Sequence, residues 1–374
     1  MAKVRILVVK KVMRKIVTVF LLAITANVYS KHWFNIASVK DVVEKNRSIL
    51  YQSCLHDVPF SFEPFLPDSS MSNEGVCKKC FILTIPNGRV QSAYGFILIN
   101  NVFIREMIRS GSELMAVKKI DEQRIVKKAG RGAVLAQLFG DNYFHWIIEV
   151  LGRLALLEMH NVAYDWLYVQ NDKPFMKETL QLWGVDPAKT VFLKNAFYGI
   201  QAEQLILPSL VLNDAICVSS KVLDYVKNKL LTAVLMGGSS CSFSKKVFVS
   251  RSDTSRKIGN EQDIFNALQQ YGFEKYELGK MSVKDQIVLF HNAEIVVAEH
   301  GAGLTNILFC NPGTRIVEIF QTLKCNCYWY LAHALGLSYR AVKTVEFQNG
   351  MQVYRSNICI SQDAIEKIVE AVQY

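Results

Sequence analysis

The residues best able to do chemistry fall in three short stretches, and the most informative is Glu294-Ile-Val-Val-Ala-Glu-His-Gly-Ala-Gly-Leu-Thr-Asn306. Its apolar run, residues 295–298, predicts a short buried strand of a parallel sheet. The run breaks at Glu299-His300-Gly301-Ala302-Gly303, and residues 304–309 then resume as a helix. A strand that turns through small residues into a helix N-terminus exposes backbone N–H groups and the positive end of a dipole, which suits a phosphate-bearing ligand. Glycine is needed there because a side chain would keep the backbone away from that ligand. His300, Gly301, Ala302, Gly303 and Asn306 are therefore expected to contact substrate.

The second stretch, residues 142–160, predicts a helix that is apolar almost all round, through Phe144, Trp146, Ile147, Ile148, Val150, Leu151, Leu154 and Ala155. Against that background Asp141, His145, Glu149 and Arg153 recur every fourth residue. At about 100° per residue each step drifts roughly 40°, so the four make one polar stripe. A solvated face with i,i+4 ion pairs would show the same spacing. A thin stripe holding a histidine beside a carboxylate suits a cleft wall better. His145 or Glu149 is the expected general base, with Asp141 next, and Arg153 is expected on the substrate side of the stripe, paired with Glu149.

In the third, Val249-Ser-Arg251 ends a strand and residues 252–256 form a loop. Arg251 and Arg256 would then stand at the carboxyl edge of the sheet, where ligands bind in open α/β folds. Guanidinium forks bind a diphosphate bidentately and neutralise a developing negative charge, although two surface arginines would read alike. Glu318, near the end of the strand after the glycine turn, is placed to accept hydrogen bonds from a ribose, or is a strand-end surface glutamate.

Taken in order, Asn142-Tyr-Phe-His-Trp146, Val249-Ser-Arg251 with Arg256, and Glu299-His-Gly-Ala-Gly-Leu-Thr-Asn306 resemble glycosyltransferase family 61. The resemblance covers residues 129–342 and leaves the first ~125 without a match. It implies a GT-B fold of two Rossmann-like domains facing a cleft, inverting chemistry and a nucleotide-sugar donor, usually a UDP-sugar. The family pattern falls on His145, Arg251, His300, Gly301, Ala302 and Gly303, with Arg256 a softer transfer. No Asp-x-Asp occurs anywhere in the chain, so arginines and a helix N-terminus, rather than a divalent cation, are expected to stabilise the leaving UDP. No metal or other cofactor is expected, and the partners are a nucleotide sugar and a glycan or glycoprotein acceptor.

The elements that must position these residues are legible in outline. From residue 245 strands alternate regularly with helices: 246–250, 273–278, 295–298, 315–320 and 338–342 extended, 260–271, a helix opened by Ser282 with a capping-box pattern, 328–335 and 362–372 helical. Such alternation means a doubly wound parallel sheet. The first half is less regular, with a β-rich, hairpin-like stretch at 81–104, strands at 166–170, 191–194 and 204–207, and a helix at 174–183 opened by proline and closed by Gly184. Residues 213–236 predict a helical connection and 237–240 a linker. The expected division is a leader at 1–30, an acceptor-side α/β domain at 31–236, a nucleotide-sugar-binding Rossmann-like domain at 241–360 and a closing helix at 361–374.

A chain of 374 residues exceeds the usual single-core size, which agrees with two domains. A hydrophobic content of 51% with 20% charged residues describes a core-rich folded protein. Of the formal charge of +10, Lys3, Arg5, Lys10, Lys11, Arg14 and Lys15 supply six. No basic-aromatic array follows, so nucleic acid is not an expected partner. Those charges precede an apolar stretch at 16–28 and small residues near Val28 and Ser30, the pattern of a secretory signal. The stretch is shorter than the ~20 residues a spanning helix needs, which favours a cleaved signal, with a type II anchor as the alternative. Either way the body should be translocated: to the Golgi lumen in a eukaryote, or to a membrane tether or the cell envelope in a bacterium. Of the nine cysteines some should pair in an oxidising compartment, and Cys77-Lys-Lys-Cys80 reads as a disulfide or surface thiols rather than a zinc site. The rivals to a transferase are a translocated, non-catalytic glycan- or nucleotide-binding relative, and a Rossmann oxidoreductase. The oxidoreductase is disfavoured because Gly301-Ala-Gly303 lacks the full Gly-x-Gly-x-x-Gly fingerprint.

Overall fold

The computed structural model describes residues 35–55, 58–61, 74–77, 79–91, 94–99, 102–107, 125–192, 199–212, 217–238, 241–253, 257–320, 325–344 and 359–373. The leader expected at 1–30 and Arg256 lie outside them. The N-terminal half runs β1 (Asn35–Ala37), α1 (Val39–Lys45), β2 (Leu50–Leu55), β3 (Val58–Ser61), β4 (Glu74–Cys77), β5 (Cys80–Pro86), β6 (Arg89–Gln91), β7 (Phe96–Ile99), β8 (Val102–Ile104) and β9 (Ile125–Val134). It continues through a π-helical turn (His145–Val150) into α2 (Leu151–Met159), then β10 (Trp166–Val169), α3 (Pro174–Trp183), β11 (Thr190–Phe192), β12 (Gly199–Pro208) and α4 (Ser220–Met236).

Among the described residues ten of these strands form one sheet in the order β1-β8-β7-β6-β12-β9-β10-β11, with β5 beside β12 and β2 beside β5. Strands β9 to β12 are mutually parallel. The β5, β6, β7 and β8 pairings are antiparallel except for the parallel β1–β8 edge. The first half is therefore a mixed sheet and not a doubly wound one throughout. The links between β6, β7 and β8 are too short for a crossover, and short links force antiparallel neighbours. Cys80, read as a surface thiol or disulfide partner, is buried at the start of β5.

The second half runs β13 (Lys246–Val249), α5 (Glu261–Gln269), β14 (Glu274–Tyr276), α6 (Val283–His291), β15 (Ile295–Glu299), a 3-10 helix (Ala302–Phe309), β16 (Arg315–Phe320), α7 (Cys327–Ala334), β17 (Ser338–Lys343) and α8 (Gln362–Gln373). Its five strands are all parallel in the order β14-β13-β15-β16-β17. Alternate strand residues serve opposite faces. Val247, Val249, Val296 and Ala298 pack with Ile287 and Phe290 of α6, whereas Phe248, Val297 and Val317 pack with Ile264 of α5 and Ile365 and Ile368 of α8. Burial on both sides is why β15 reads as a continuous apolar run. Strand order reverses between β13 and β15, and in such sheets the crevice at the carboxyl ends of the two strands flanking the reversal is where ligands bind.

The apolar cluster that takes Val296 and Leu304 also takes Leu151 and Leu154 from α2, Leu167 from the first sheet, and Val222 and Leu230 from α4. The two halves thus share one core. At its rim Lys227 Nζ donates to the Cys310 carbonyl at 2.6 Å and the Lys284 N–H donates to Glu178 at 2.9 Å. Among the described residues no helix is long and apolar enough to cross a membrane.

Arg153 holds the first sheet together where substrate contact was expected. It is 0% exposed, and its guanidinium donates to the carbonyls of Leu135, Ala136 and Pro208 at 2.8–3.0 Å, joining the chain just past β9 to the end of β12. Burial lowers its pKa to about 9, with the Glu149 charge working against that fall. A residue with no surface cannot touch a ligand, so its role is structural. Arg153→Met should lower unfolding stability by roughly 3–5 kcal/mol, because three core carbonyls lose a charged donor. Urea unfolding of the variant checks this, and a loss under ~1 kcal/mol would contradict it.

Candidate active site

The π turn opens on His145, whose Nδ1 meets Glu149 Oε1. The Glu149 carboxylate is buried, and its other oxygen accepts from Gln137 Nε2 at 2.6 Å. A buried carboxylate gripping one ring nitrogen fixes the imidazole's orientation and directs Nε2 as the exchangeable nitrogen. π turns recur at functional sites, and this one spans both members of the pair, at the start of the helix. The Asn142 side chain accepts from the Phe144 N–H at 2.9 Å and supports that start. Asp141 is separate from the pair: it faces Lys173 at 3.1 Å near the surface. Phe139, which the sequence reading passed over, has a left-handed backbone (φ 64) and is 51% exposed, with its ring 5.6 Å from that of His145. Non-glycine residues held at positive φ are uncommon, and such strain clusters at active sites and ligand clamps.

Across the switch point, Arg251 follows β13 and the glycine turn follows β15. Arg251 is only 8% exposed; its Nε lies 3.2 Å from Glu299 Oε2 and its Nη1 is 3.4 Å from the His300 carbonyl. Its own backbone N–H donates to Glu261 Oε2 at 2.7 Å. A Cβ on Gly301 would stand 1.8 Å from Arg251 Nη1. Glycine at 301 thus leaves room for the tip of the guanidinium, which an added Cβ would push aside, in addition to any room it leaves for ligand. Ala302 begins the 3-10 helix, and a Cβ on Gly303 would meet Leu278 at 3.0 Å, so that glycine serves packing under the turn.

Two expected ligand contacts turn out to be supports. Glu318 is 0% exposed, with Oε1 2.5 Å from His300 Nδ1 and Oε2 accepting from the Tyr339 hydroxyl at 2.6 Å. Both oxygens are committed within the core, so it cannot reach a ribose; it orients His300 instead. Asn306 is buried too: its Oδ1 accepts from the Tyr143 hydroxyl at 2.8 Å, and its Nδ2 donates to Gln286 and to the Gly303 carbonyl. It pins the turn to the first half of the chain.

The two histidines are linked by a chain of edge-to-face and tilted rings. His145 packs on Phe144 (5.3 Å between centroids), Phe144 on Tyr328 (5.6 Å) and Tyr328 on His300 (5.3 Å). A cavity of about 470 Å³ opens between the halves, lined by Tyr143, Phe175 and Glu178 from one and Arg251, Ala302 and Gly303 from the other; neither histidine lines it. His300 also has Cys325 and Cys327 for neighbours. A hydrogen bond from Cys327 pulls the Cys325 thiol down to about 6, whereas burial pushes Cys327 up. Cys217, elsewhere in the core, is disulfide-bonded.

Residues 143–317 match the family described as Glycosyltransferase 61. The resemblance read from the motifs holds over that segment, just under half of the chain, and the segment contains His145, Glu149, Arg251 and the whole glycine turn. Curated relatives named EGF domain-specific O-linked N-acetylglucosamine transferase match over 96 residues: 33% identical in Mus musculus, 30% in Gallus gallus and 29% in Drosophila melanogaster. The mouse match covers 24% of this chain and 18% of the relative, so the chain spans less than a fifth of the length of the relatives it matches.

If the arginine over the turn is the anion-binding group, displacing it should cost affinity and not the fold. Gly301→Ala should weaken UDP binding about tenfold or more, since the new Cβ takes the Nη1 position, with a melting temperature close to wild type. Isothermal titration with UDP decides it; unchanged affinity would separate the turn from the ligand.

Proposed function

We propose that the protein is an inverting glycosyltransferase, moving a sugar from a nucleotide-sugar donor of the UDP-sugar class to a hydroxyl of a glycan or protein. One observation supports the reading: the family match spans both the His145–Glu149 pair and the Arg251–Gly301 turn. The Tyr143–Asn306 hydrogen bond ties the segment just before the pair to the turn, and Tyr143 and Arg251 both line the cavity between the halves. On this reading the acceptor oxygen attacks the anomeric carbon while its proton passes to His145 Nε2. The bond from that carbon to the diphosphate oxygen breaks on the opposite face, so configuration inverts and UDP leaves as the anion. Glu149 holds the ring by Nδ1 and stabilises the imidazolium that forms, which makes it a positioning residue. Arg251 and the backbone N–H groups of the turn take the charge of the departing diphosphate, a role that needs no metal ion. The exposed Phe139 ring beside His145 offers a platform for an acceptor sugar or peptide.

The GT-B arrangement, with acceptor-side and donor-side domains meeting near residues 236–241, belongs to the same proposal. So do entry into the secretory pathway and a membrane tether through the N-terminus. The names of the relatives make N-acetylglucosamine the first sugar to test and a protein hydroxyl the first acceptor.

The test is nucleotide release and product formation across a panel of nucleotide sugars. His145→Ala should lower turnover about a hundredfold or more with UDP affinity nearly unchanged, and Glu149→Gln should lower it less. Because the two residues act as a unit, the double variant should lose little beyond His145→Ala alone. Binding of UDP with no transfer or hydrolysis by the wild-type chain, over a broad donor and acceptor panel, would support a non-catalytic relative instead.

A further inference from the structure

We propose that His300, Cys325 and Cys327 form a binding site for a thiophilic divalent cation of the zinc class. The three converge by topology. His300 leaves the carboxyl end of β15, Cys327 opens α7 after β16 and Cys325 lies two residues ahead of it, so neighbouring parallel strands deliver all three to one edge of the sheet. Their ligand atoms lie within 4.8 Å of one another, the one such group of three among the described residues. In a tetrahedral zinc site, sulfur at ~2.3 Å and nitrogen at ~2.0 Å from the metal put ligand atoms about 3.5–3.8 Å apart. Closing the set therefore needs movements of about an ångström, within reach of thiol rotamers.

The surroundings of His300 are those of a metal-bound histidine. Glu318 holds Nδ1 at 2.5 Å and is itself held by the Tyr339 hydroxyl at 2.6 Å. A carboxylate on one ring nitrogen fixes the ring and raises the basicity of the other, the arrangement that supports histidine ligands. Two thiolates balance a divalent cation, and the adjacent buried Glu318 carboxylate favours positive charge there. Sulfur ligands select zinc-class metals over magnesium or calcium. With one histidine and two cysteines the cation keeps a fourth position open for water or an external ligand. None of the three residues lines the cavity that Arg251 shares with the turn. The site's existence does not rest on the transferase reading.

Cobalt(II) is the probe. Added to the reduced, metal-stripped full chain, it should bind with a stoichiometry of about one, producing a near-ultraviolet thiolate-to-cobalt charge-transfer band and the visible bands of a tetrahedral ion, both abolished by zinc. Cys325→Ser, at a half-buried position the fold tolerates, should remove most of the charge-transfer band and weaken binding tenfold or more. Glu318→Gln should weaken binding about tenfold to a hundredfold while leaving the band in place, which a merely structural carboxylate would not do. Absence of the band overturns the proposal. So does a band untouched by Cys325→Ser, which would put the cobalt on other thiols. A Cys325–Cys327 disulfide that persists under reductant by intact mass overturns it as well.

Discussion

The Arg251 guanidinium lies across Gly301, against Glu299 and the His300 carbonyl, and most of the site is arranged around that packing. The arginine reaches this place because β13 and β15 are parallel neighbours whose following loops leave in opposite directions. A side chain at 301 would occupy the space of Nη1; a strand order without the reversal would cover the crevice with a crossover. Glu261 fixes the arginine's backbone from below, and Asn306 fixes the turn from the side. The result is a cation held largely out of water at the mouth of a cavity, where an anion gains more from it than at an exposed surface.

The site repeats one device. His145 with Glu149, and His300 with Glu318, each set a part-exposed imidazole on a fully buried carboxylate, one in each half of the chain. In both, the second carboxylate oxygen is held by a neutral donor, Gln137 in one and Tyr339 in the other. Burying a carboxylate is costly unless it is hydrogen-bonded and paired, and here each carboxylate has both. The rings are thereby fixed in direction while their outer edges stay near solvent.

Much of this was legible in the sequence because local pattern determines it. The apolar run before the glycine turn, the alternation beyond residue 245 and the every-fourth-residue stripe each report a backbone period, and the family motifs place them in one protein. What stayed hidden depends on contacts distant in sequence. Arg153 lies on the stripe, yet its partners are carbonyls at 135, 136 and 208, which no helical spacing can reveal. Glu318 and Asn306 were read outward toward ligand, whereas Tyr339 and Tyr143 draw them inward. The hairpin-like stretch at 81–104 was legible, but its union with the parallel strands in one mixed sheet was not, because β5 and β6 join that sheet through β12, more than a hundred residues further on. Phe139 carries no pattern at all; only its backbone angle and its place over His145 single it out.

The central claim is that Arg251, poised over Gly301, is the charge that receives a nucleotide diphosphate. Titration of UDP into the wild-type chain and into Arg251→Ala, both in excess chelator, measures it most directly. The account predicts saturable binding by the wild type without metal and a loss of about tenfold or more in the variant, with both proteins equally folded. Equal affinity in the two proteins, or binding by the wild type that vanishes on chelation, would contradict it.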